Sequence, residues 1–152
     1  MIQTSGEQQL LASAEIVRER LRQMHWLVSQ MPNLARVELV AENQVCFVVR
    51  PGFSFLRGEM TVQLERIGEP DGLAWRMAVR GIASSAKATV RCSVVEIGPH
   101  SCRLQYQVVI EELGGLLRTL HRSLLQAAVG KTVHDFLANL HRSFASPTDS
   151  GN

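Results

Sequence analysis

From Leu73 to Ile110 the chain alternates apolar and polar residues with a period of two, segment after segment. Leu73, Trp75, Met77 and Val79 oppose Arg76 and Arg80. Ala86, Ala88, Val90, Cys92 and Val94 oppose Lys87, Thr89, Arg91 and Ser93. Cys102, Leu104, Tyr106, Val108 and Ile110 oppose Arg103, Gln105 and Gln107. Successive strand side chains point to opposite faces, so this period describes strands with one apolar and one solvated face. Sheets covered on both faces read as continuous apolar runs instead. The pattern therefore predicts an antiparallel sheet whose apolar face must be covered by another part of the same chain.

The preceding segments extend the sheet. In Leu34–Ala41, Ala35, Val37 and Leu39 alternate with Arg36 and Glu38, and Ala41–Asn43 reads as a turn. Gln44–Arg50 is the next strand, ended by Pro51-Gly52. Phe53–Ile67 reads as one strand in which Phe53 and Phe55 fall on the opposite parity from Met60, Val62 and Leu64. A bulge at Arg57-Gly58 would reconcile the two phases. The run from Gly68 to Gly72 is turn material by composition. Before the sheet, Ser13 is placed to cap a helix carrying Ile16, Val17, Leu21 and Met24. Trp26, Leu27 and Met31 suggest a second short helix, stopped at Pro32. An edge strand near Leu10 precedes both.

From Glu111 to Phe144 there is no proline, and the segment reads as one helix entered through Gly114-Gly115. About 30 residues at ~1.5 Å each span ~45 Å, enough to cross a sheet. Its apolar residues form two rows. Leu113, Leu117, Leu120, Leu124 and Ala128 make the first; Val129, Val133, Phe136, Leu140 and Phe144 make the second. The rows are offset by one residue, with Gly130 at the slip. That marks either a bend of the helix or a close approach of its backbone to a bound molecule. The expected fold is α+β: a curved antiparallel sheet of about six to seven strands wrapped around a long C-terminal helix, with two short helices after the first strand.

A chain of 152 residues fits one domain, taken as 1–145, with the polar run 146–152 as a disordered tail. Net charge is +2 with both signs interspersed, and aromatics are 5%. A nucleic-acid surface would need a basic stripe or stacking aromatics, so that class is not expected. The start lacks a basic segment leading into an apolar core, and no apolar run reaches the ~18 residues of a membrane span. A cytoplasmic location with no transmembrane segment is expected. Cys46, Cys92 and Cys102 are odd in number and form no CxxC pair, which reads as buried thiols in a reducing compartment. His134 and His141 share a helix face but stand seven residues apart, too far to bind one metal. Neither a metal nor a cofactor is expected.

Three stretches together resemble the START-like (SRPBCC, birch-pollen-allergen-like) superfamily, and within it the carbon monoxide dehydrogenase CoxG family. They are ASAEIVRERLRQMHWLVSQMPNLARVE (12–38), PGFSFLRGEMTVQLERI (51–67) and GGLLRTLHRSLLQAAVGKTVHDFLANL (114–140). Pro32-Asn33 stands where that family tends to have Pro-Gly. Ile82, Ala83, Ser84 and Ser85 stand where it tends to carry more glycines. The resemblance implies a helix-grip fold enclosing a hollow for a hydrophobic molecule, lipid or quinone-like, and an accessory role beside a partner redox enzyme. Residues placed to line such a hollow are Phe53, Phe55, Met60, Val62, Trp75, Met77, Tyr106, Leu117, Leu120, Leu124 and Ala128, with Trp75 and Tyr106 as its polar handles.

No Asp, Glu or His falls on an inward strand position by clean alternation, so no catalytic residue is assigned. Two other functions remain open. One is a protein adaptor or homodimer whose cavity is filled by side chains. The other is a cyclase- or dehydratase-type enzyme, which would need Tyr106 or His121 in a wet cavity.

Overall fold

The computed structural model describes residues 2–68 and 73–145. Residue 1, residues 69–72 of the expected turn and the expected disordered tail 146–152 lie outside them. In chain order the elements are β1 (Ile2–Leu10), α1 (Ala14–Arg22), α2 (Met24–Ser29), β2 (Leu34–Val40), β3 (Gln44–Val49), β4 (Met60–Ile67), β5 (Leu73–Gly81), β6 (Ser84–Gly98), β7 (Ser101–Gly115), α3 (Leu116–Thr119) and α4 (Arg122–Ala145). The strands form a seven-stranded antiparallel sheet, ordered β1-β7-β6-β5-β4-β3-β2. The sheet is a meander closed by β1, which pairs with the last strand. The expected edge strand near Leu10 is therefore nine residues long and paired along its length with β7.

Two short helices form where the sequence suggests, but Met24 opens α2 instead of extending α1, and Met31 lies beyond the end of α2. The Ser13 hydroxyl accepts from the Ile16 amide at 3.3 Å, capping α1. Val17 and Leu21 turn inward, and Arg18 ties the helix to β6 by donating to the Val94 carbonyl at 2.7 Å. After α2 the chain reverses through Asn33 at φ 59, a left-handed conformation asparagine tolerates. The core joins both helices, the inward residues of β3 to β7 and the last turns of α4.

Three expectations are corrected. First, the reading of Phe53–Ile67 as one bulged strand fails, because β4 begins only at Met60. Phe53–Leu56 is a turn closed by the Leu56 amide on the Phe53 carbonyl at 3.2 Å, with the Phe53 and Phe55 rings stacked 5.4 Å apart. Gly58, at φ 125, belongs to this loop.

Second, β2 does not alternate as Ala35, Val37 and Leu39 against Arg36 and Glu38. It is bulged against β3 between Leu34 and Arg36 and again between Val37 and Leu39. Leu34, Val37 and Val40 therefore share the concave side with Val49, Phe47 and Val45. Two extra residues convert a period of two into a period of three.

Third, the helix from Glu111 to Phe144 is not continuous. β7 runs on to Gly115, whose φ of 63 starts the single turn α3. Leu120 returns to extended geometry (φ −77, ψ 149). His121 then caps α4: its carbonyl accepts from the Leu125 amide at 3.2 Å, and its Nδ1 accepts from the Ser123 amide at 3.1 Å. This break sets a new helical phase. Leu125, Val129, Val133, Phe136, Leu140 and Phe144 follow one another at steps of three and four, so α4 carries one continuous stripe with no slip. Gly130 lies inside the helix with open space where a Cβ would stand, so nothing approaches its backbone closely.

Candidate ligand-binding hollow

The register lays residues across the concave face in rows. One row runs Leu73, Cys92, Tyr106, Gly6; the next runs Arg66, Trp75, Val90, Val108, Thr4; a third runs Leu64, Met77, Ala88, Ile110, Ile2. Helix α4 lies over the β1 side of this floor, and α1 with α2 covers part of the rest. Both ends of α4 are anchored. At its start Leu125 buries with Ile2, Leu56, Met60 and Leu117. At its end Leu140 is fully buried, and Phe144 meets Trp26 at a ring separation of 5.4 Å. Asn139 donates to the Gln30 carbonyl at 2.8 Å, and the Ser143 hydroxyl to Gln30 Oε1 at 2.7 Å.

Between those anchors the contacts loosen. Met77, Val79, Val90, Cys92 and Tyr106 on the sheet, with Val133 and Phe136 on the helix, remain only partly buried against the core. Cys92 is partly buried, and burial pushes its thiol up to about 12. Tyr106 reaches across to β1, where only a glycine leaves room: a Cβ at Gly6 would meet Tyr106 Oη at 2.6 Å. Trp75 is 3% exposed, and its Nε1 has no partner among the described residues.

The candidate lining residues divide into two groups. Val62, Trp75, Met77 and Tyr106 belong to the main cluster. Phe53, Phe55, Met60, Leu117 and Leu120 gather in a second cluster, where the β3–β4 loop meets α3 and the start of α4. Ala128 is half-buried and belongs to neither. Leu124 is 38% exposed, and Leu125, at 7%, takes the inward place expected for it. The one-residue error follows from the hidden break at Leu120. Val90, Cys92, Val133 and Phe136 were not among the candidate lining residues. The clean alternation of β6 and the second helical row were the signals that could have found them.

Two grooves open on the outside. One, of about 700 Å³, runs between β1 and α4 past Gln8, His134, Ala138 and His141. The other, of about 530 Å³, includes Gln63, Arg80, Lys87 and Arg118. Neither receives Trp75, Met77 or Tyr106. His134 and His141 do share a face, as their spacing required, and both are exposed. No cluster of potential metal ligands occurs among the described residues, and no helix among them is long and apolar enough to cross a membrane. Cys46, Cys92 and Cys102 are all free thiols on strands.

Comparison with solved structures agrees with this geometry. A conserved protein from Geobacillus kaustophilus superposes with a TM-score of 0.83 at 18% identity, covering 95% of each chain. A START superfamily protein from Mycobacterium smegmatis matches at 0.72 and 15% identity, over 93% of this chain and 96% of that one. A STAR-related lipid transfer protein from Xanthomonas axonopodis matches at 0.61 and 15% identity, over 95% and 86%. At these identities the likenesses establish the START-like helix-grip fold. No curated protein matches the sequence. The family model for the carbon monoxide dehydrogenase CoxG proteins matches residues 6–145. The chain belongs to the carbon monoxide dehydrogenase CoxG family.

Proposed function

We propose that this protein binds a hydrophobic small molecule, lipid or quinone-like, between the concave face of the sheet and α4. It holds or carries that molecule without transforming it, as an accessory to a partner redox enzyme. The observation that carries this reading is the only partly buried apolar floor at Met77, Val90, Cys92 and Tyr106 on the face of the sheet that α4, anchored at both ends, lies over. Among the Asp, Glu and His residues of β4 to β7, Glu96 opposite Cys102 is the one at an inward register position, and it is exposed at the end of β6. His121, which an enzyme reading would need, is exposed and occupied in capping α4.

Native mass spectrometry of gently purified protein, followed by solvent extraction, tests the proposal. A stoichiometric apolar molecule supports it. A clean unliganded mass, unchanged by incubation with quinones and fatty acids, would move the assignment to a protein adaptor. One feature favours that second reading: the edge strand β2 exposes Val37, Leu39 and Val40 at 42%, 52% and 47%.

A further inference from the structure

The outer face of the sheet, opposite the hollow, carries the groove of about 530 Å³ that crosses β4 to β7. Its floor is built from small residues. The register places Arg80 beside Ser85 and Ser85 beside Gly114; in the next row Lys87 stands between Ala78 and Glu112. Gly114 has no room for a side chain, because a Cβ there would overlap Ser85 Oγ. Next to this floor the β6–β7 pairing slips by one residue between Lys87 and Ala88. Such a bulge bends the strand that carries it and re-aims its side chains. Three long side chains stand around the floor: Arg80 from β5, Lys87 from β6 and Arg118 from α3.

The charges in this groove do not cancel. Elsewhere on the surface cations meet acids. Arg36 and Arg50 share Glu59, Arg76 faces Glu65, Arg103 faces Glu7 and Lys131 faces Asp135. Arg80 has neutral register neighbours, Thr61 and Ser85, and no acidic partner among the described residues. Arg118 donates from Nε to the Leu113 carbonyl at 3.2 Å, a neutral acceptor that leaves its charge uncompensated. Lys87 reaches Glu112 at 3.5 Å, and Glu112 is the one acid among the described residues lining the groove. Three cations against one carboxylate leave two positive charges.

A phosphoryl group matches that balance. A phosphate monoester carries about −1.5 to −2 charges near neutral pH and presents three acceptor oxygens. Arginine forks bind such oxygens in pairs. Neighbouring strands are ~4.8 Å apart, so long side chains from β5, from β6 and from beyond β7 can converge on one group. A single carboxylate would neutralise only one of the two charges. The walled floor and its volume suit a small molecule, for which pockets of roughly 300–1,000 Å³ are usual.

We propose that this groove binds a phosphoryl group, either of a small phosphate ester or as free phosphate, with Arg80, Lys87 and Arg118 as cationic contacts and the Ser85 hydroxyl as a neutral donor. The site lies on the face opposite the hollow and does not depend on the carrier reading.

The test is an NMR titration of the ¹⁵N-labelled full chain at low ionic strength with phenyl phosphate, inorganic phosphate and benzoate. Phenyl phosphate should move the amides of Arg80, Ser85, Lys87 and Gly114 along a saturating curve. Benzoate should bind about tenfold more weakly. Tighter binding of phenyl phosphate than of inorganic phosphate would identify an ester as the source of the group; equal binding would identify free phosphate. Arg80→Gln should weaken phenyl phosphate about tenfold at an unchanged melting temperature, since it breaks no ion pair. Arg103→Gln removes the same charge from the pair with Glu7 and should leave the affinity within about twofold. Equal weakening by the two variants, benzoate binding as tightly as phenyl phosphate, or no saturating shift at these amides would overturn the inference and leave the carrier reading standing.

Discussion

Tyr106 on β7 and Gly6 on β1 are register partners, and the phenol lies over the glycine so closely that a Cβ there would stand 2.6 Å from Oη and 2.9 Å from Cζ. A glycine inside a strand is destabilising on its own account. Here it lets the one tyrosine of the chain lie over the backbone of β1. Gly6→Ala should therefore displace the ring and cost about 1–3 kcal/mol by overpacking. Gly6→Ala combined with Tyr106→Leu should cost less than the sum of the two single changes. Thermal or denaturant unfolding of the four proteins checks this, and strict additivity would show that the two residues do not touch.

The neighbouring leucines of α4 should behave oppositely. Leu125→Ala removes a buried side chain and should cost about 2–4 kcal/mol. Leu124→Ala, on the exposed side, should stay within about 0.5 kcal/mol. Unfolding midpoints distinguish this phase from the alternative one, in which the two costs are exchanged.

Gln30 is the clasp between α2 and the end of α4, accepting from Asn139 at its carbonyl and from Ser143 at its side chain. Asn139→Ala should cost about 1–2 kcal/mol, since it leaves a part-buried carbonyl unsatisfied. Hydrogen exchange should quicken selectively in the last turns of α4, ahead of the sheet.

The β5–β6 turn holds Ile82 at φ 54 and Ala83 at φ 51. Left-handed geometry costs an L-residue roughly 1–2 kcal/mol. Ile82 is retained by its packing in the second cluster, whereas Ala83 has no such role. Ala83→Gly should raise stability by about 0.5–1 kcal/mol, read as an increase in melting temperature.

Cys92 should give an alkaline signature. Burial raises its folded-state pKa from 9.0 to about 12. The stability tied to keeping the thiol neutral is then complete below pH 9 and is lost as pH rises from 9 towards 12, because the unfolded chain releases its proton first. Cys102, also raised by burial, contributes in the same direction. Cys92→Ala should flatten part of this fall in a series of melts across that range.

How much of this was legible in the sequence depended on what set each residue's phase. The alternation of Leu73–Val79, Ala86–Val94 and Cys102–Ile110 named the concave face correctly, because a sheet apolar on one side fixes register strongly. Ser13 marked a real helix start through its capping preference, and Pro32 falls three residues after the end of α2. The errors arose where phase was set by tertiary contacts. Leu120 carries no helix-breaking signal, yet its extended backbone rotated the stripe and moved Leu124 outward. The bulges in β2 contain neither glycine nor proline. Phe53 and Phe55 are good strand residues, and they left the sheet to stack in a loop that closes one end of the core. The orphaned Trp75 N–H could not be read from sequence at all, because it depends on which acceptors the fold leaves within reach.

On the proposed function, an apolar molecule held between the sheet and α4 lies against Met77 on the apolar floor, so this side chain reports on its binding directly. Protein labelled with ¹³C at its methionine methyl groups would be titrated with hexylnaphthalene and observed by NMR. The Met77 methyl should move under the aromatic ring current and saturate near one equivalent. A Met77 methyl that stays fixed while amides of Val37–Val40 on the exposed edge strand move would contradict the carrier reading, and would place the apolar contact on the surface.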